Sequence, residues 1–328
     1  MKALVLDRPG GPETLHLADL PLPEPGIGEV RVKVHAAGLN PVDYKLAASG
    51  YHTWHYPFVL GLDVAGTIEA LGPQVTNWHV GDAVYYHGNF CRPGGFAECT
   101  IASAHVLAPL PEQTSFVEAA ALPCAGLTAY QALHRKLAVR PGQTLLVQGG
   151  AGGVGGFAIQ LGVLAGMQVI TTCSAGHVDW VRHLGATEVI DYQTEDVPTR
   201  VRELTKGRGV DAIVDTVSPY TATEGMEMLA FGGGIACVAG LPDLSSWRPF
   251  SKALSVHDVA LGCAYLLGDQ RSQADLAQMG RELGTLVSTR KIDPMVQQVI
   301  RLEEIPAALE RLSHRHGRGK IVAEISPT

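Results

Sequence analysis

The sequence predicts a mixed α/β protein in two parts: a small, barrel-like β domain, then a doubly wound parallel sheet. Three observations carry this. Up to about residue 122, short strands are cut repeatedly by proline and glycine; from about 125 to 262, strands and amphipathic helices alternate. Inside the second part lies QGGAGGVGG (Gln148 to Gly156), with six glycines in nine residues, set between an apolar strand and an apolar helix.

Each element has its own signal. In EVRVKVHAAGL, Val30, Val32 and Val34 alternate with Arg31, Lys33 and His35, the period of a half-buried strand. PLPEPGIG, LGPQ, CRPGGF and APLPE supply the turns of the first part. In the second part LLVQG reads as a strand, and Val154, Phe157, Ala158 and Leu161 recur at helical spacing until Gly166 ends the run. Strand QVITTCS, helix HVDWVRHLG, strand EVIDY, a polar helix around Glu195 to Thr205, strand VDAIVDTV, another helix and strand GIACVAG follow. The tail, 263–328, carries amphipathic helices and the strand KIVAEI, and is expected to return to the β domain. The boundaries expected are 1–124 with 263–328 for the first domain and 125–262 for the second.

Composition removes several classes of function. The chain has 328 residues, 46% of them hydrophobic and 17% charged, which is globular rather than disordered. A net charge of −7 points away from nucleic acid and anionic membrane as partners. The one dense basic cluster, HRHGRGK (314–320), reads as a solvated turn. No segment approaches the ~18 apolar residues of a membrane helix, and the opening MKALVLD is too short for a signal segment. The six cysteines are scattered without a C-x-x-C pair, which suits a cytoplasmic protein with reduced thiols. No nucleophile-elbow sequence supports a Ser–His–Asp hydrolase. His52 and His55, in YHTWHYP, make a poor metal pair and are read as part of a loop walling a substrate pocket.

The glycine run contains Gly150-Ala151-Gly152-Gly153-Val154-Gly155, a G-x-G-x-x-G that follows a strand and opens a helix. In that context it is a dinucleotide fingerprint and not a linker: the glycines serve a tight turn, close approach of backbone to the pyrophosphate, and helix–strand packing. The helix N-terminus offers N–H groups to the anion. An NAD site normally has an acid ~20 residues beyond the first glycine. Here that position falls in Thr171, Thr172, Cys173 and Ser174, with no acid before Asp179. Ser174 as hydrogen-bond donor, with His177 or Arg182 as charge, therefore favours NADPH over NADH.

Several segments together resemble the medium-chain dehydrogenase/reductase superfamily, and within it the zinc-free quinone oxidoreductase group. They are AAGLNPVDYK (36–45), PFVLGLDVAGTIEALG (57–72), GDAVY (81–85), GGFAE (94–98), AALPCAGLTAY (120–130), the glycine loop, LGATEVIDY (184–192) and GKIV (319–322). The resemblance spans nearly the whole chain. It implies a GroES-like β-barrel catalytic domain, a Rossmann cofactor domain and a homodimer joined at the edge of the cofactor sheet. The superfamily's catalytic zinc positions fall on Asn40, Leu62 and Cys124. One soft ligand does not hold zinc, because a catalytic site needs three protein ligands. HGNFCRPGG, with a lone Cys91, stands in place of the structural-zinc lobe.

Without a Lewis acid, the acceptor must spread the developing charge itself, so a quinone, enone or enal is expected rather than an isolated ketone. The resemblance places the substrate site in NPVDYK: Asn40 binds the carbonyl oxygen, and Tyr44 or Lys45 delivers a proton. Some relatives carry the pocket tyrosine one position later, where this chain has Lys45. Asp43 and Asp63 also match the family, Asp63 as a structural residue at a turn. Thr128 meets the nicotinamide end of the cofactor, and Gly240 and Leu241 close around its ring. Two alternatives stay open: an NADPH-dependent 2-alkenal or enoyl-thioester double-bond reductase, and a non-catalytic crystallin-like or RNA-binding role known among relatives.

Overall fold

The computed structural model of the protein describes residues 1–245, 247–314 and 317–326. Two compact units divide the chain, Met1–Leu127 with Leu261–Thr328, and Thr128–Ala260.

The first unit begins with β1 (Lys2–Leu6), antiparallel to β2 (His16–Asp19). Strand β3 (Glu29–Gly38) buries Val30, Val32 and Val34 completely, as their alternation predicts. His35 departs from that pattern. It is buried, stacked on Phe116, with Nδ1 against the Ser326 carbonyl and Nε2 against Thr67 Oγ1, both at 3.1 Å. The helix at 116–120 packs on β3 and sets Phe116 over this position, which encloses the polar side chain.

The sequence gives no hint of α1 (Pro41–Ser49), in a region read as strands and turns. Its two buried positions are Asp43 and Ala47, so the i, i+4 face that points inward carries no apolar stripe. Local chemistry starts it instead: Asn40 caps in an extended conformation, Pro41 occupies the first turn, and the Asp43 carboxylate accepts the Asn40 N–H at 2.8 Å. Then come β4 (Phe58–Val59), β5 (Asp63–Leu71), β6 (Ala83–His87), β7 (Cys99–Ser103), β8 (Ala108–Pro109), α2 (Phe116–Ala120) and α3 (Pro123–Tyr130).

The second unit is built from β9 (Thr144–Gln148), α4 (Gly153–Leu164), β10 (Gln168–Cys173), α5 (Val178–His183), β11 (Glu188–Asp191), α6 (Val197–Leu204), β12 (Val210–Asp215), α7 (Pro219–Met228), β13 (Leu229–Cys237) and β14 (Ser255–Asp258). Its six strands lie in the order β11-β10-β9-β12-β13-β14 and every pair is parallel. This is a Rossmann-like doubly wound sheet, with β9 and β12 side by side where the strand order reverses.

After α8 (Cys263–Leu266), α9 (Gln270–Ser288), β15 (Val296–Arg301) and α10 (Ile305–Ser313), the chain ends in β16 (Lys320–Glu324). β16 pairs antiparallel with β3, so the tail completes the sheet β15-β16-β3-β5-β6-β8 of the first unit, with β7 also on β3. Of the basic cluster, Arg315 and His316 lie outside the described residues. Lys320 corrects the reading of that cluster as solvated: it is only 3% exposed, at the start of β16. Among the described residues no helix is long and apolar enough to cross a membrane.

Gly155 shows how closely α4 packs on the loop before it. A Cβ there would lie 2.2 Å from the Gly149 carbonyl oxygen and 2.8 Å from Gly150 Cα, both backbone atoms. Gly155→Ala is expected to destabilise the protein by about 1–3 kcal/mol through this overpacking, read as a lower urea midpoint.

Candidate functional site

Two groups of residues carry chemistry, one in each unit. In the second unit β9 delivers the chain into Gly149, whose φ of +82° is left-handed. β10 pins the turn: Gly149 N–H donates to Thr172 Oγ1 and Gly150 N–H to the Thr172 carbonyl, each at 3.0 Å. Thr216 Oγ1 donates to the Gln148 carbonyl at 2.7 Å from the other side. These threonines fix the loop and were not singled out from the sequence, because a hydroxyl that anchors backbone leaves no spacing signature.

The glycines of the fingerprint divide into two kinds. A Cβ on Gly150 would meet Thr171 Oγ1 at 2.0 Å, and one on Gly155 would strike backbone, so the chain itself requires both. A Cβ on Gly152 would meet only the Gly149 oxygen at 3.8 Å. Nothing in the chain requires glycine at 152, and its φ of −74° is open to any residue. That open space lies at the N-terminus of α4. The first helical bond there runs from Gly156 N–H to the Gly152 carbonyl at 2.9 Å. The N–H groups of Gly153, Val154 and Gly155 are thus the unsatisfied end of the helix, and they suit a pyrophosphate.

Ser174 follows the end of β10 and shares a turn with His177, whose N–H donates to the Ser174 carbonyl at 2.9 Å. Both are half-buried, and His177 Nδ1 is buried without a partner among the described residues. Arg182 is exposed on α5. Thr128 is buried in α3. Gly240, with φ +128°, packs against Pro219 where a Cβ would come within 2.7 Å, and Leu241 beside it is 51% exposed.

In the first unit the start of α1, the start of β5, the end of β6, α3 and β16 converge on a buried polar cluster. Lys320 Nζ donates to the Asn40 Oδ1 at 2.5 Å, the Leu39 carbonyl at 3.1 Å and Asp63 Oδ2 at 3.3 Å. Asn40 Nδ2 donates to Asp63 Oδ2 at 2.8 Å, and Cys124 N–H to Asp63 Oδ1 at 2.7 Å. Asp63 is fully buried. Burial pushes the Cys124 thiol far up, helped by the charge of Asp63. His87, opposite Asp63 in the sheet, is held below its ordinary range by burial. Asp43, at 0% exposure, is raised by burial to about 8.

Asn40 therefore sits at the heart of the cluster with its amide already engaged. Tyr44 packs half-buried against the apolar core and Lys45 is exposed; among the described residues neither is hydrogen-bonded to the cluster. His52 and His55 are exposed, whereas Trp54 between them is buried and stacked on Phe58 at 3.9 Å. Among the described residues no group of three or more His, Cys, Asp or Glu is arranged to hold a metal ion. Lys320 lies in a basic run of the sequence, and nothing in such a run marks one lysine as buried.

A β unit with a buried polar cluster, joined in sequence to a Rossmann unit with a cleared helix N-terminus, defines a two-domain dinucleotide-binding protein. Comparison with known proteins makes the class specific. Residues 26–112 match the alcohol dehydrogenase GroES-like domain, and residues 184–322 match the zinc-binding dehydrogenase family. The chain is 30% identical over 328 residues to the quinone oxidoreductase of Homo sapiens, covering 98% of this chain and 97% of that one. It superposes on the quinone oxidoreductase from Coxiella burnetii with a TM-score of 0.85 at 32% identity, covering 99% of each chain. A mycobacterial protein, Rv1454c, solved in complex with NADPH, gives a TM-score of 0.86 at 31% identity over 99% of this chain and 100% of that one. The chain belongs to the medium-chain dehydrogenase/reductase superfamily, in its quinone oxidoreductase-like group, and is an oxidoreductase.

Two outcomes are expected. Lys320→Met leaves Asp63 buried and unpaired and costs about 3–5 kcal/mol in chemical denaturation. Gly152→Val leaves stability within about 1 kcal/mol of the parent but lowers dinucleotide affinity more than tenfold by filling the space at the helix end, as measured by nucleotide fluorescence titration.

Proposed function

We propose that this oxidoreductase works without zinc and reduces a quinone or another conjugated carbonyl, with NADPH as the reductant. The observation that carries this reading is the cation already built into the β unit. The ammonium of Lys320 lies 2.5 Å from Asn40 Oδ1 and 3.3 Å from Asp63 Oδ2, among residues that include two of the superfamily's three zinc positions, Asn40 and Cys124. A dication entering this cluster meets a fixed positive charge, an asparagine in place of a thiolate, and a Cys124 thiol that burial keeps protonated. With no strong Lewis acid to hold an alkoxide, the acceptor must delocalise the charge left by hydride addition.

NADPH, when bound, supplies that hydride. The N–H groups of Gly153, Val154 and Gly155 hold its pyrophosphate, and Gly152 leaves the space for it. Ser174 and His177 hold the 2′-phosphate: no acid lies between the glycine loop and Asp179, and His177 Nδ1, without a partner among the described residues, offers a further polar contact. The NADPH complex of a relative 31% identical supports the same choice. Thr128, Gly240 and Leu241 are assigned to the nicotinamide end. Asn40 is assigned to the carbonyl oxygen, through the amide that Lys320 polarises.

The test is an acceptor panel (a small quinone, a 2-alkenal, a 2-enoyl thioester) run with NADPH and with NADH on protein whose metal content is known. Expected are turnover without stoichiometric zinc and a preference for NADPH that Ser174→Ala with His177→Ala reduces at least tenfold. Turnover only with the thioester moves the assignment to a double-bond reductase. Bound zinc at Cys124, or no turnover with any acceptor, overturns the proposal.

A further inference from the structure

We infer that Thr172 is a positioning residue of the dinucleotide site: its hydroxyl, with that of Thr216, clamps the single peptide group from which the glycine turn departs. This rests on the reading of the turn as the pyrophosphate site and names what holds that site ready.

The turn has little of its own to hold it. From Gly149 to Gly153 every residue but Ala151 is glycine. Glycine loses more backbone freedom on ordering than any other residue, so such a segment is loose unless something outside it fixes its start. Strand β9 ends at Gln148, and Gly149 turns at once into the left-handed region with φ +82°. The peptide between these two residues therefore sets the direction in which the chain leaves the sheet.

That peptide is gripped at both ends, from the strands on either side. Its N–H, on Gly149, donates to Thr172 Oγ1 of β10 at 3.0 Å. Its carbonyl, on Gln148, accepts from Thr216 Oγ1, just beyond the end of β12, at 2.7 Å. Gln148 pairs in register with Thr172 on one side and Asp215 on the other, so both hydroxyls arrive level with the end of β9. The plane of the peptide cannot turn without breaking one of these bonds.

The two contacts are not equivalent. The Gln148 carbonyl has a second donor, the Thr216 N–H at 3.3 Å, which does not depend on the side chain at 216. Among the described residues the Gly149 N–H has Thr172 Oγ1 alone. Loss of the Thr216 hydroxyl leaves the carbonyl partnered, whereas loss of the Thr172 hydroxyl leaves the N–H bare. Thr171 takes no part, because its Oγ1 donates to the Val147 carbonyl, inside β9, at 2.8 Å. Thr172 thus acts through backbone: with the peptide fixed, the open side of Gly152 and the N–H groups that begin α4 stand in place before a nucleotide arrives. Binding to a turn already ordered costs less than binding that must order it. The pyrophosphate is common to NADPH and NADH, so the clamp serves both alike, unlike Ser174 and His177.

The first test uses the parent protein. Amide hydrogen exchange followed by NMR is expected to find the Gly149 N–H slow without nucleotide and little changed by NADPH, while the amides of Gly153, Val154 and Gly155 slow on binding. A Gly149 amide that is fast until nucleotide is added overturns the clamp. The second test is fluorescence titration with NADPH and with NADH. Thr172→Val, nearly the same shape without the hydroxyl, should weaken both about tenfold and equally. Thr172→Ser should restore the parental affinity, and Thr216→Val should stay within about threefold of it. Parental affinity in Thr172→Val, an equal loss in Thr216→Val, or no recovery with serine each overturns the assignment. If Thr172→Val does not fold, the exchange measurement on the parent decides. A parent that binds neither nucleotide overturns the dinucleotide reading, and the coenzyme role of Thr172 with it, whatever the Gly149 amide shows.

Discussion

The first unit hangs on one buried ammonium. Lys320, at the start of the last strand, reaches the Leu39 carbonyl, the Asn40 amide and the Asp63 carboxylate, so one charge joins β16 to the end of β3, the cap of α1 and the start of β5. Burying a lysine is costly unless its hydrogen bonds are met and its charge is opposed. Here a carboxylate opposes it and two neutral oxygens complete the set. The arrangement also answers a topological question. A chain that leaves the β domain for more than a hundred residues must be recaptured in the right register, and backbone pairing between β16 and β3 gives little discrimination by itself. A lysine that finds its three acceptors in only one register supplies that discrimination.

The same interaction shapes the chemistry. Burial drives the other ionisable members of the cluster towards their neutral forms, Asp43 upward, His87 downward and Cys124 upward, with the charges of Asp63 and Lys320 as smaller influences. The site thus holds one fixed cation–anion pair surrounded by neutral proton carriers.

Much of the fold was legible because it rests on period. Strand–helix alternation announced the parallel sheet, and Val154, Phe157, Ala158 and Leu161 traced α4 residue by residue. What escaped was whatever the chain holds together by polar chemistry. Helix α1 was invisible because its buried face is Asp43 and Ala47 rather than a leucine stripe. Lys320 sat in a basic run that spacing alone reads as solvent-facing. His35 continued an alternating pattern and yet is enclosed. For Lys320 and His35 partners distant in sequence, Asn40 and Asp63 for the one and Ser326 for the other, decide the environment, and no local window contains them.

The glycine loop shows the reverse limit, where sequence names a motif and only packing says what each residue is for. Gly150 and Gly155 are demanded from within: one would strike Thr171, the other the backbone of its own turn. Gly152 is demanded by nothing inside the protein, and glycine at a helix cap is no better than the serine or threonine that could stand there. A residue kept small against open space is explained by what fills that space. The space left by Gly152 is the space that the proposed dinucleotide would fill, beside the N–H groups that open α4 and the β10 threonines that hold the turn.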